Sequence, residues 1–130
     1  MKIFVKVLQG IDLVKISRIQ EAVSQKGKRF LDRIFSPEEQ AYCRSKRMKF
    51  EHYAARLAAK EAFIKALNLD SRKIPSLNKI EVKRKPTGQP YIDLKPALKK
   101  TVGLCSKDRV ELSLAHEREY AVATVVVIKA

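Results

Sequence analysis

Glu61 and Lys65 stand four residues apart in the stretch Tyr53–Leu67, which holds neither glycine nor proline and is rich in alanine. Strong helix formers without a breaker predict a helix there, and the spacing sets an acid and a base on one seam of it, with the acid nearer the N-terminus. Arg56 and Lys60 share the spacing but carry like charge, so they repel unless an anion lies beside them. A carboxylate and several cations on one mostly apolar helix have the chemistry of a site for a metal ion and a phosphate. The plain alternative is a solvated seam whose ion pair contributes about 0.3–0.5 kcal/mol. Two further candidates lie outside this helix. Asp12 is an acid inside the apolar segment Gly10–Val14, and it reads either as a turn or cap residue before a helix opening near Ser17, or as a carboxylate presented to a site at a strand end. His116 sits in the polar connection Ala115–Glu119, where an imidazole is either a surface group or a proton acceptor.

The elements that must position these groups follow from periodicity. At about 100° per residue, Tyr53, Leu57, Ile64 and Leu67 form a bulky face of the central helix, and Ala55, Ala58, Ala59, Ala62 and Ala66 form a smooth one. Two apolar faces predict a helix covered on both sides, with Glu61 and Lys65 on one border of the bulky face and Arg56 and Lys60 on the other. Lys2–Leu8 reads as a strand continued by Gly10–Val14, followed by a short helix from Ser17 through Val23. Lys26–Arg33 is a basic cluster. Ser36-Pro37-Glu38-Glu39 is a capping box, which makes Glu39 first of all a helix-start device. Ile80–Lys83 and Tyr91–Asp93 read as strands around the turn Pro86–Pro90, Pro96–Val102 as a helix ended by Gly103, and Val110–Leu114 as a strand. Tyr120–Ile128 is almost continuously apolar and valine-rich, which predicts a strand buried on both faces, by helices or by another subunit.

Composition narrows the function classes. With 130 residues, 45% hydrophobic, 4 Gly and 5 Pro, the chain is expected to form one domain over residues 1–130. The 28 Lys and Arg against 14 Asp and Glu give a formal charge of +14, which calls for an acidic partner: nucleic acid, an anionic membrane surface, a phosphorylated small molecule or an acidic protein. Cys43 and Cys105 lie far apart without metal-ligand spacing, so a reducing cytoplasm is the simplest setting. No apolar run approaches the roughly 20 residues that span a bilayer, and the N-terminal residues lack a signal-peptide core.

Separated segments match one family in order. They are Gly10-Ile11-Asp12-Leu13-Val14 with Arg18-Ile19, and Arg29-Phe30 with Arg33-Ile34-Phe35-Ser36 and Glu39. Next come Arg56-Leu57-Ala58-Ala59-Lys60-Glu61-Ala62-Phe63 with Lys65-Ala66, then Gly88-Gln89-Pro90-Tyr91, and finally Leu112–Glu117 with Tyr120–Ala123. On these the chain resembles the holo-acyl-carrier-protein synthases, the small 4'-phosphopantetheinyl transferases of fatty-acid synthesis. Two positions depart from the family pattern: Leu8 stands where a further glycine is common, and Ala115 where a threonine or serine is frequent.

The resemblance implies an α+β fold with a long central helix and a small, mostly antiparallel sheet, assembling as a homotrimer with active sites between subunits. It implies transfer of the phosphopantetheine arm of coenzyme A to a serine of acyl carrier protein. The expected metal is magnesium, held by Asp12 and Glu61, since a hard divalent ion takes one or two carboxylates plus substrate phosphate and water. Lys65 is expected to stabilise charge on the phosphate, and Arg56 and Lys60 to contact coenzyme A phosphates. Thr87, Gly88, Gln89, Pro90 and Ser113 are expected to line the nucleotide side. His116 is expected either to accept the serine proton or to contact phosphate; a metal-activated water or Glu61 are the other candidates for the base. Acyl carrier proteins are small and acidic, so Arg18, Lys26, Arg29 and Arg33 are the expected docking cations. The competing class is a nucleic-acid-binding module. It is disfavoured by the absence of regular aromatic interleaving, of helix-turn-helix or zinc spacing, and by carboxylates set among the cations.

Overall fold

Residues 5–130 are described in a computed structural model. The chain runs through strand β1 (Lys6–Lys15), helices α1 (Ile16–Lys26), α2 (Lys28–Ile34), α3 (Pro37–Arg44) and α4 (Lys49–Leu67), strands β2 (Val82–Arg84) and β3 (Pro90–Ile92), helix α5 (Pro96–Val102), and strands β4 (Arg109–His116) and β5 (Tyr120–Lys129). An antiparallel sheet of order β1-β5-β4 and a two-stranded β2-β3 hairpin complete an α+β architecture. The expected strand at Lys2–Leu8 lies partly outside the described residues, and its remainder merges with Gly10–Val14 into β1. The basic cluster Lys26–Arg33 spans the junction of two helices: Gly27, at a φ of 59°, ends α1, and α2 begins at once.

The alanine face of α4 explains how the helix meets the sheet. Ala58, Ala59, Ala62 and Ala66 are buried with Ala123, Val125 and Val127 of β5 in one core cluster. Small side chains let the helix axis approach the strands closely, and Gly10 takes this furthest. A methyl at that position would meet the Ala62 carbonyl and lie 2.6 Å from the Ala66 amide nitrogen. The opposite face carries Tyr53, Arg56, Lys60 and Phe63, all buried. Tyr53 packs on Phe35 with ring centroids 4.9 Å apart.

That opposite face is held by a polar staple. Ser36 and Glu39 form the expected capping box of α3. Glu39 reaches further than a cap, however: its Oε1 also accepts from Lys60 Nζ at 2.7 Å and its Oε2 from the Val82 amide at 2.9 Å. One carboxylate thereby ties α3, α4 and β2, and both its oxygens are satisfied, as a buried charge requires.

The last strand is covered on one face only. In β5 the inward residues Ala121, Ala123, Val125 and Val127 are fully buried beneath α4, while Val122, Val126 and Ile128 are half-buried and Thr124 is exposed. Paired beside them on the same outer face are Val7, Ile11 and Leu13 of β1, each about 60% exposed. Among the described residues of a single copy nothing covers this apolar sheet face, so of the two covers expected for this strand, helices account for one face alone.

Candidate active site

β1 and α4 bring together the carboxylates and the lysine that the sequence singled out. Asp12 pairs with Ala123 in the middle of β1 and belongs to the set of alternate residues facing α4. It does not cap α1, whose N-cap is Lys15 with no side-chain cap hydrogen bond. Lys65 Nζ donates to Asp12 Oδ1 at 2.8 Å and to the Ile11 carbonyl at 3.2 Å. Glu61, one turn before Lys65, is half-buried on the same seam. Its carboxyl is pushed above the usual range first by burial and then by the charge of Asp12, with Lys65 acting in the opposite sense. A carboxyl that burial and a neighbouring carboxylate both hold against ionisation forms with that neighbour a donor pair that a hard cation relieves. Among the described residues no group of three or more His, Cys, Asp or Glu comes together. Two neighbouring carboxyl groups with no third such side chain beside them are a donor set that fits a hard cation such as magnesium, which takes one or two carboxylates.

A second cluster lies on the other side of α4. The Arg56 guanidinium is stacked on the Tyr42 ring at 4.1 Å, and its Nε and Nη1 are buried without any hydrogen-bond partner. A buried guanidinium with free donors has an anion-shaped gap in its coordination. Arg56 lines a cleft of about 270 Å³ with Tyr42, Lys83, Arg84 and Tyr91. Arg84 donates to the Gly88 carbonyl at 2.6 Å and also lies over Tyr42, at 5.5 Å. It thereby links the turn containing Thr87, Gly88, Gln89 and Pro90 to Arg56. Gly88 takes a φ of 92°, open to glycine at no steric cost.

His116 closes β4 rather than standing in the connection after it. Its Nδ1 is 3.0 Å from Glu51 Oε1, in the first turn of α4. Its ring lies edge-on to His52 at a centroid distance of 5.1 Å, and His52 in turn meets Tyr42 at 5.8 Å. His52 is held below the ordinary imidazole range by burial first, then by neighbouring His116, Arg56, Arg84 and Lys46. An imidazole row therefore runs from His116 to the Arg56 cluster.

Other expected residues go elsewhere. Lys60 is not at the phosphate cluster: it is fully buried and its ammonium is taken by Glu39 and by the Leu77 carbonyl at 2.8 Å. Burial pushes it down and Glu39 opposes that shift. The anion that the Arg56/Lys60 repulsion called for is thus supplied to Lys60 by the chain itself, and to Arg56 not at all. Ser113 lies on the open outer face of the sheet, opposite Thr124. Arg18 on α1, with Lys26 at its end, and Arg29 and Arg33 on α2 are exposed and unpaired among the described residues. Tyr42, Glu51, His52 and Arg84 were not anticipated. Starting α4 at Lys49 instead of Tyr53 would have placed Glu51 and His52 on its first turn.

The comparisons agree with one another. The family model of the 4'-phosphopantetheinyl transferase superfamily matches residues 9–125. The holo-[acyl-carrier-protein] synthase of Dehalococcoides mccartyi is 45% identical over 118 residues, spanning 90% of this chain and 94% of that protein. That of Halothermothrix orenii is 38% identical over 117 residues, 90% of this chain and 93% of that one. Among solved structures, the Helicobacter pylori holo-[acyl-carrier-protein] synthase in complex with coenzyme A superposes with a TM-score of 0.79 at 31% identity, covering 92% of this chain and 99% of that one. The Chronobacterium ammoniagenes ACPS–CoA complex gives 0.82 at 29% identity, with 96% and 98% covered.

Proposed function

The chain belongs to the 4'-phosphopantetheinyl transferase superfamily, and from that membership we infer how its residues carry out the reaction. It acts as a holo-[acyl-carrier-protein] synthase, transferring 4'-phosphopantetheine from coenzyme A to a serine of apo-acyl carrier protein. The seryl oxygen forms a bond to the pantetheine-side phosphorus. The bridging P–O bond breaks, adenosine 3',5'-bisphosphate leaves with its electron pair, and the seryl proton passes to a base. The observation that carries the residue assignment is the meeting of Asp12, Glu61 and Lys65 across β1 and α4.

Asp12 and Glu61 would hold magnesium, which supplies neutralisation of the pyrophosphate oxygens. Lys65 adds a mobile positive charge to the same place, since its ammonium is half exposed and already within reach of Asp12. Arg56 offers its unpartnered donors to a phosphate of the nucleotide half, with the Thr87–Pro90 turn beside it. His116 accepts the seryl proton or contacts phosphate. Intact-mass spectrometry of apo-acyl carrier protein after incubation with this protein and coenzyme A tests the reading. A gain of one phosphopantetheine group with magnesium, and none with EDTA, is expected; gain that survives EDTA would remove the metal from the account.

Assembly as a homotrimer is supported by two features. The outer face of the sheet, with Val7, Ile11, Leu13, Val122 and Val126, is an uncovered apolar surface of the kind that another subunit covers. In addition, Arg56 and Glu61 are about 140° apart around α4, and Arg56 and Lys65 about 180°. The two clusters of a single copy thus face different sides of a helix buried in the core, which is a difficulty for one coenzyme A that is to use both. A site made of one copy's Asp12, Glu61 and Lys65 and a neighbour's Arg56 cluster removes the difficulty.

Arg18, Lys26, Arg29 and Arg33 form an exposed basic strip on α1 and α2, suited to an acidic carrier. Reversing Arg18 and Arg29 to glutamate is expected to raise the KM for carrier protein by about tenfold or more and to change the KM for coenzyme A by less than about twofold. Steady-state kinetics with each substrate varied in turn checks this, and equal effects on both would dismiss the strip as a docking surface. Free Cys43 and Cys105 suit a reducing cytoplasm. No helix among the described residues is long and apolar enough to cross a membrane.

A further inference from the structure

His116 is held from two sides by consecutive residues of one helix. Glu51 lies on its Nδ1 at 3.0 Å, and the His52 ring meets its own edge-on at 5.1 Å. A carboxylate has only acceptor lone pairs, so the short contact places the proton of a neutral His116 on Nδ1 and leaves Nε2 as the bare acceptor. Arg47, Lys49 and Arg118 line the same cleft, yet His116 is the only ion-pair partner Glu51 has among the described residues. The glutamate side chain is 11% exposed. Its place in the first turn of α4 favours a negative charge, because the amide ends of the helix point toward it. His52 packs against the face of the arrangement nearer Tyr42 and Arg56, which restricts rotation of the His116 ring.

We propose that Glu51 is a positioning residue of the transfer reaction: through Nδ1 it fixes the tautomer and orientation of His116, so that Nε2 is the nitrogen offered to the substrate. The proposal rests on the placement of His116 in the active site, and the same contact serves either of that histidine's roles. A base needs a proton-free Nε2, and a phosphate contact needs a ring that cannot turn away. Glu51 itself touches neither substrate nor reacting atoms.

Nitrogen-15 NMR of the imidazoles and a double-mutant cycle test it together. In the wild-type protein below saturation with either substrate, the neutral His116 ring is expected to carry its proton on Nδ1. In Glu51→Ala it is expected to move toward the Nε2–H form that a free imidazole favours. Glu51→Ala should lower kcat about 10- to 100-fold while leaving the KM for carrier protein nearly unchanged. Glu51→Gln, whose amide oxygen still accepts from Nδ1–H, should recover most of that loss, and it stands in for the alanine variant should that one not fold. His116→Ala should be at least as slow, and adding Glu51→Ala to it should cost nothing more. An unchanged tautomer in Glu51→Ala, or an equal further loss when Glu51→Ala is added to His116→Ala, would overturn the positioning role and make Glu51 a structural acid. Wild-type rates in His116→Ala would overturn both the proposal and the role assigned to His116.

Discussion

Replacing Glu61 by alanine is expected to lower the rate of phosphopantetheine transfer by on the order of 10²–10³-fold, with folding intact. Glu61 sits in a seam between β1 and α4, where burial and the Asp12 charge both resist its ionisation. A carboxyl kept there against its own cost is not there for stability. Because its folded-state pKa is raised, the cost to folding sets in as the pH passes the carboxyl's ordinary unfolded value, is complete above the raised folded value, and is absent at acid pH where both states are protonated. Glu61→Gln is therefore expected to raise the melting temperature of the metal-free protein at neutral pH while losing activity as fully as Glu61→Ala. Magnesium should restore the balance in the wild type only, raising its melting temperature and leaving that of Glu61→Gln unchanged. Thermal melts with magnesium and with EDTA, run beside initial rates, separate the effects. A variant that loses stability and activity together would mark Glu61 as a packing residue and end its assignment as a ligand.

The seam was legible from spacing because helix geometry translates directly into neighbourhood: residues four apart on a helix without breakers must lie one above the other, as Glu61 and Lys65 do. Asp12 was not legible in the same way. A lone acid in an apolar segment has the same sequence signature whether it caps a helix or faces one. Only the pairing of β1 with β5 decides which alternate residues turn toward α4. Lys60 shows the opposite failure. Its spacing from Arg56 is identical to that of Lys65 from Glu61, and spacing carries no information about which way a border residue turns when the neighbouring helix supplies a counter-charge. Glu39 was assigned by a local pattern, the capping box, and that pattern is present. Its second oxygen and its ion pair with Lys60 depend on chain segments 21 and 43 residues away, beyond the reach of a local motif.

The same limit explains the clusters that were missed. Tyr42, His52, Arg84 and Arg56 come from α3, α4 and the strand before the Gly88 turn, elements that Glu39 ties together through Lys60 and the Val82 amide. The outer face of β5 was read as covered because its residue types are those of an interior strand. Among the described residues of one copy they face outward, so the residue types say that the face suits a cover and not which segment or subunit supplies it.

That distinction sets the second large effect. Arg56→Met, which keeps an unbranched chain under Tyr42, and Glu61→Ala are each expected to be nearly inactive alone at low coenzyme A. Mixed in equal amounts and allowed to exchange subunits, they should regain about a quarter of wild-type activity. Random assembly pairs an intact Glu61 of one copy with an intact Arg56 of its neighbour at about one interface in four. Glu61→Ala mixed with Asp12→Ala should regain nothing, since both carboxylates come from the same β1–α4 seam and every site would lack one. Initial rates of the two mixtures, measured against the unmixed variants at equal total protein, read the outcome directly. No recovery in the Arg56/Glu61 mixture, with exchange verified by mass, would confine the site to one copy and require coenzyme A to reach both faces of α4 by itself. Recovery in the Asp12/Glu61 mixture would split the carboxylate pair between subunits, and the metal with it.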